Sequence, residues 1–273
     1  MMHNVLFFKA TLLFYFLGTA LFLLNLWDSR SERVEGAKPS WPQRFALFAT
    51  VAGFVFHTLA LGVQLKEDGY IPLAHLQEAV SFFSWAIVLV FFWVEIRYRL
   101  DILGSFILPL AFLSLISVSA LPSEVPTLNT TLVNTWFGIH TILSVLGIVA
   151  FSIAFLAGLI YLIQDRFLKS KQLNSLYSRL PSLDMLDQWN KKAILFGFPL
   201  LTLGIISGAL WSQYTEGTLW GKNDSKQALS LGIWFFYLLV LHGRINIGWR
   251  AKKAAHLAII GFVGVIFIFV TLA

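Results

Sequence analysis

Eight apolar runs, each near the roughly 20 residues a helix needs to cross a bilayer core, alternate along this chain with short polar connections. They cover Leu6–Trp27, Phe45–Gln64, Leu76–Val94, Ile102–Leu121, Val133–Ile163, Ala193–Tyr214, Ala228–His242 and Ala254–Ala273. The fifth is long enough to continue past the membrane as a helix. In the sixth, Gly204, Gly208 and Ala209 permit close approach of a neighbouring helix. The longest polar interval, Gln164 to Lys192, contains Pro181-Ser182, a cap for a short cytoplasmic helix leading into the sixth run. The expected fold is all-α: a polytopic membrane helical bundle of about eight transmembrane helices. It forms a single integral membrane domain over residues 1–273, with the first two spans in 1–68. No basic segment precedes the first run and Asp28-Ser29-Arg30 follows it, so it is expected to be a retained span and not a cleaved signal.

Charge sets the orientation. Of the 20 Lys and Arg residues, only Lys9, Lys66, Lys222 and Lys226 fall on one side; all others lie in the connections after runs one, three, five and seven. By the positive-inside rule both termini face outward (N-out/C-out), and the crossing between runs six and seven is external. Only 12% of residues are charged against 58% hydrophobic, where a soluble domain carries about 25% charged. The net charge of +6 therefore reflects cytoplasmic loops. It implies membrane lipid and no nucleic acid as partner. The chain has no cysteine, which excludes disulfides, thiolate metal sites and thioether attachment of haem to this chain.

Orientation gives each histidine a depth. At 1.5 Å per residue, His140 and His57 lie roughly 10 Å below the outer surface, and His75 stands at the outer mouth of the third run. His242 and His256 lie near the inner ends of the last two. An imidazole inside a membrane is costly and often functional, and it is the common axial ligand of haem iron. A lone membrane histidine also serves as a helix–helix hydrogen-bond partner, so the inference rests on clustering in two layers. Trp27, Trp41, Trp189 and Trp249 fit the interfacial aromatic belt. Trp211 and Trp220 border the external crossing beside Lys222, Asp224 and Lys226. There they could stack on a flat ligand, with Trp211 equally suited to the aromatic belt, and the lysines either meet the ligand's carboxylates or stand as solvated loop charges.

Several phrases, taken together, resemble the cytochrome c assembly family, the multi-span haem-handling proteins with a tryptophan-rich WWD domain (its CcsA/HemX-like branch). They are GYIPLAHLQEAVSFFSWAIVL from Gly69, WFGIHTILSVLGIVAFSIAFLAGLIYLIQDRFLKSK from Trp136, LPSLDMLDQ from Leu180, FPLLTLGIISGALW, and LHGRINIGWRAKKAAHLAIIGF after the crossing. The likeness covers residues 69–273. It implies non-covalent haem b, with His140 as the first outer iron ligand and His242 as the inner one. It also implies Trp220, Asp224 and Lys226 as what remains of the crossing, a second maturation membrane protein and apocytochrome c as partners, and the bacterial inner (cytoplasmic) membrane as location. The crossing departs from the family pattern W-G-x-Y-W-x-W-D-P-K-E. Here it reads LWGKNDSKQ, with Asn223 before Asp224, Ser225 in place of Pro and two tryptophans fewer. Family members that continue past the last span carry a second outer histidine; here that ligand is expected from His57, His75, a partner or nowhere.

The expected function is presentation or trafficking of haem at the outer face for attachment to apocytochrome c. The alternative is a regulatory or scaffold membrane protein of the same fold, linked to haem biosynthesis and binding little or no haem. No nucleophile–base pair, HExxH, P-loop or dinucleotide fingerprint is present. No catalytic residue is expected, since bond formation would join haem vinyl groups to thiols of another protein. A secondary transporter would be expected to show internal repeats or paired broken helices; neither is visible.

Overall fold

The computed structural model describes residues 2–27, 40–68, 73, 75–120, 135–171, 175–220 and 224–271. In lipid every backbone N–H and C=O must be satisfied within the protein, and a chain of long continuous apolar runs meets that demand with helices. They are α1 (Met2–Trp27), α2 (Trp41–Asp68), α3 (Leu76–Tyr98), α4 (Gly104–Ala120), α5 (Thr135–Lys169), α6 (Ser175–Arg179), α7 (Leu183–Glu216), α8 (Asp224–His242) and α9 (Ala251–Thr271). Among the described residues seven are long and apolar enough to span a membrane, and the fourth apolar run forms a shorter apolar helix. Each of the eight predicted runs is thus helical over its described residues, and the chain is a polytopic helical membrane protein.

Two details differ from the expected boundaries. The fourth run does not enter its helix directly: Asp101–Leu103 form a 3₁₀ turn ahead of α4. This follows Arg99, which ends α3 in the left-handed conformation (φ 52°) with its N–H on the Glu95 carbonyl at 2.8 Å. Ser182 does cap a helix, its hydroxyl accepting from Met185 N–H at 3.2 Å. That helix runs unbroken from Leu183 through the sixth run to Glu216 as α7, and the short α6 lies ahead of its cap.

The helices group into two compact units. The first holds α1–α4 and α6. Its predicted inner end is stitched by Arg179, a buried side chain whose Nη1 donates to the Asn25 carbonyl at 2.7 Å and whose Nη2 lies 3.9 Å from the Asp101 carboxylate. A cation on the last carbonyls of α1 suits the negative end of that helix. Asn25, Asp101 and Arg179 stand at or beside the connections after runs one, three and five, so the fold gathers segments that the charge pattern assigns to one side.

The second unit holds α5 and α7–α9. Its spine is a seam of small residues between α5 and α7. Gly204 faces Ser144, and Gly147 lies so near Leu201 that a Cβ there would stand 3.1 Å from the Leu201 backbone nitrogen. Asn190 reinforces the seam by donating to the Ala154 carbonyl at 2.8 Å. Phe151 of α5 stacks on Tyr237 of α8 at 3.6 Å between ring centroids, with both rings fully buried. Trp234 Nε1 donates to Thr202 Oγ1 at 2.9 Å, joining α8 to α7.

Candidate functional site

The seam fixes one histidine. His140, near the start of α5, lies against Gly208 of α7 and donates its Nδ1 proton to the Gly204 carbonyl at 2.7 Å. A carbonyl only accepts, so Nδ1 carries the hydrogen and Nε2 keeps its lone pair. A histidine that ligates a metal is commonly oriented in this way, through a hydrogen bond from its other nitrogen. The side chain is half-buried. Phe137, one turn earlier on α5, packs on Trp211 of α7 with ring centroids 5.0 Å apart. His140 and Trp211, which the sequence singles out on separate grounds, thus stand at one end of one helix pair, bridged by Phe137.

The crossing starts from that same end. Gly217 closes α7 in the left-handed conformation (φ 74°), and Trp220 follows it, 48% exposed. Lys222 lies outside the described residues. Asp224 is the first residue of α8 and Lys226 falls in its first turn; their side chains are likewise not described.

At the other end of the same unit, His242 is the last residue of α8 and is exposed. The side-chain amide nitrogen of Asn246 donates to its Nδ1 at 2.9 Å, so Nδ1 accepts and a neutral ring carries its hydrogen on Nε2. His256 is turned into its own helix, with Nδ1 donating to the Lys252 carbonyl at 2.7 Å. Close by, Arg244 is buried and paired with Asp187 at 2.6 Å. Sequence reasoning missed this pair, because its residues are 57 apart and each alone looks like a loop charge. Trp249, expected in the interfacial belt, is half-buried over Gly243 and carries Lys253 Nζ 3.7 Å from its ring centroid.

The first unit places its histidines differently. His57 is fully buried, and both ring nitrogens are engaged: Nδ1 with the Tyr15 hydroxyl at 3.3 Å and Nε2 with Ser81 Oγ at 3.0 Å. It ties α1, α2 and α3 together. His75 caps α3 and is half-buried. Its backbone N–H donates to Glu78 Oε2 at 3.1 Å, while Glu78 Oε1 accepts from Gln64 Nε2 at 2.8 Å.

Among the described residues no group of three or more His, Asp or Glu side chains is gathered to hold a bare metal ion. The donor set is single imidazoles. That chemistry suits iron inside a porphyrin, whose ring fills the equatorial positions and leaves the axial ones to protein.

The chain is similar to several known proteins. The chain is 30% identical over 234 residues to the cytochrome c biogenesis protein CcsA of Guillardia theta, covering 79% of this chain and 77% of that one. It is 31% identical to CcsA of Prochlorococcus marinus strain AS9601, over 77% and 75% of the two chains. Against CcsA of Porphyra purpurea it is 26% identical, over 91% and 89%. The family description for cytochrome C assembly protein matches residues 73–272, a stretch holding the small-residue seam, His140, the crossing and His242. With that match over most of its length, the chain belongs to the cytochrome c assembly protein family.

Proposed function

We propose that this chain is a membrane protein of cytochrome c biogenesis that takes non-covalent haem b as cargo and presents it for attachment to apocytochrome c. The observation that carries the proposal is the hydrogen bond from His140 Nδ1 to Gly204, which leaves Nε2 as a donor for iron. The family membership and the relatives' shared role in cytochrome c biogenesis support it. His140 serves as the outer iron ligand; His242 is the candidate inner one, and would have to exchange its hydrogen bond with Asn246 to free Nε2. Trp211 and Trp220 would stack on the cargo, and Lys222 and Lys226, on either side of Asp224 in the crossing's sequence, would meet its propionates. Within the first unit, His75 is the candidate haem-ligating residue. His57 would have to give up Ser81 or Tyr15 to take that role.

Haem, once bound, supplies the vinyl groups that join the thiols of the apocytochrome. This chain's part is to hold, orient and shield. The charge pattern places His140 and the crossing at the outer face, and the bacterial inner membrane is the location that the resemblance favours. A second maturation membrane protein and apocytochrome c are the expected partners.

The second reading, a regulatory or scaffold role with little haem, draws on the shortened crossing, in which LWGKNDSKQ retains a single tryptophan. A deletion strain separates the two. Loss of covalent haem from c-type cytochromes with unchanged total haem supports presentation. Altered total haem with normal c-type cytochromes supports regulation. For the ligands, the purified full chain is expected to show a Soret band that falls in His140→Ala and in His242→Ala. Wild-type haem content and spectrum in both variants would overturn the assignment.

A further inference from the structure

One face of α3, near the end that closes at Tyr98, carries a groove. It measures about 450 Å³ and is lined by Leu89, Val90, Phe92, Trp93 and Ile96, all apolar. Trp93 is 60% and Ile96 82% exposed, so the groove opens away from the core of the first unit. At 1.5 Å per residue it runs from about 3 Å to about 14 Å from the end of the helix. One leaflet of the hydrocarbon core is about 15 Å deep, half of the whole. The charge pattern puts this end of α3 at the cytoplasmic face, so the groove spans the inner leaflet and stops there.

The groove has a cation at its mouth. Arg97 stands one turn after Trp93 on the same helix face, and a helical side chain leans toward the N-terminus, here back along the groove. Tyr98 meets both neighbours: its ring is edge-on to Trp93 at 5.9 Å between centroids and lies 5.3 Å from the Arg97 guanidinium carbon. A guanidinium held over a ring face keeps N–H groups at its edge to receive a phosphate. Arg97 is exposed, and among the described residues no carboxylate pairs with it.

We infer that this groove holds the tail of an anionic phospholipid of the inner leaflet, with the headgroup phosphate on Arg97. Spread over its length, the volume leaves a cross-section of about 40 Å², roughly half that of a helix 10 Å across. The space suits acyl chains and is too narrow for a partner helix. Lipid tails have no general preference for one apolar face over another. Two features together make this face selective. An unfilled concavity forfeits dispersion contacts along its lining, and a basic side chain at the cytoplasmic end of a span draws anionic headgroups above zwitterionic ones.

The test is ¹⁹F NMR of the full chain labelled with 5-fluorotryptophan, in detergent micelles, titrated with dioleoyl phosphatidylglycerol or dioleoyl phosphatidylcholine. The Trp93 signal is the one that disappears in Trp93→Phe. Phosphatidylglycerol is expected to move it at about a fivefold lower lipid-to-detergent ratio than phosphatidylcholine, the factor that about 1 kcal/mol per basic side chain gives. Arg97→Gln is expected to bring the two lipids level. Leu89→Trp, which fills the groove, is expected to remove the response to both. Both positions are exposed, so these variants keep the fold, and circular dichroism checks it. An equal response to the two lipids in the wild type marks an ordinary lipid-facing surface and overturns the inference. So does a preference that survives Arg97→Gln, or a Trp93 signal that neither lipid moves. None of these outcomes touches haem binding, which the Soret measurements read separately.

Discussion

The His140 ring occupies the space that a side chain at position 208 would need: a Cβ on Gly208 would lie 2.7 Å from Nδ1 and 2.9 Å from Cε1. The imidazole and the missing methyl are two halves of one fit. Gly208→Ala is expected to drive the ring off the Gly204 carbonyl and to lower haem occupancy about tenfold, with helical content unchanged. Soret absorbance per mole of purified protein, beside circular dichroism, measures both. Full occupancy would mean that the ring's position does not govern binding.

His57 is held from both sides, and its removal strands the Tyr15 hydroxyl and Ser81 in the core of the first unit. His57→Ala is expected to cost about 1–3 kcal/mol of stability, the cost of leaving buried polar groups unpaired. The His140-dependent Soret component should persist. Thermal unfolding in detergent, followed by both helicity and Soret absorbance, checks the pair of outcomes; a lost Soret component in a folded variant would make His57 a ligand.

A third prediction concerns α9. A Cβ on Gly158 would fall 2.9 Å from the Ala255 carbonyl oxygen and 3.1 Å from its Cα, and backbone atoms cannot swing aside. Gly158→Val is expected to destabilise the second unit by about 1–3 kcal/mol through overpacking. Gly232, where a methyl group would meet nothing within 4 Å, serves as the comparison: Gly232→Ala should be near neutral. Equal unfolding midpoints for the two variants would contradict the close α5–α9 approach.

Orientation is open to chemistry because the chain has no cysteine of its own. Leu219→Cys in the crossing is expected to react with a membrane-impermeant maleimide on intact cells. Lys191→Cys on α7 should react only after permeabilisation. The reverse pattern would invert the topology inferred from Lys and Arg.

Much of the fold was legible because lipid imposes a simple ruler: run length marked the helices, and the placement of cations ordered their ends. Register was not legible. Nothing in the spacing of α3 and α4 announces that Arg99 turns left-handed, or that Asp101 opens a 3₁₀ turn before the helix. The site divides in the same way. His140 and His242 stood out by residue type and depth, and Gly204 and Gly208 by size. That the Gly204 carbonyl receives the His140 proton depends on how α5 and α7 mesh, 64 residues apart in sequence. Likewise His57 looked like a candidate ligand by depth, and only packing brings Tyr15 and Ser81 onto its two nitrogens.

The Asp187–Arg244 pairing has a temporal side. Ribosomal synthesis delivers the carboxylate 57 residues before its guanidinium, and the Ala251 amide arrives later still. During that interval α7 can enter the bilayer and meet α5, but the acid at its base waits without its cation. Closure belongs to the final hairpin. A nascent chain interrupted before that point lacks both of the partners that the Asp187 carboxylate holds in the finished fold.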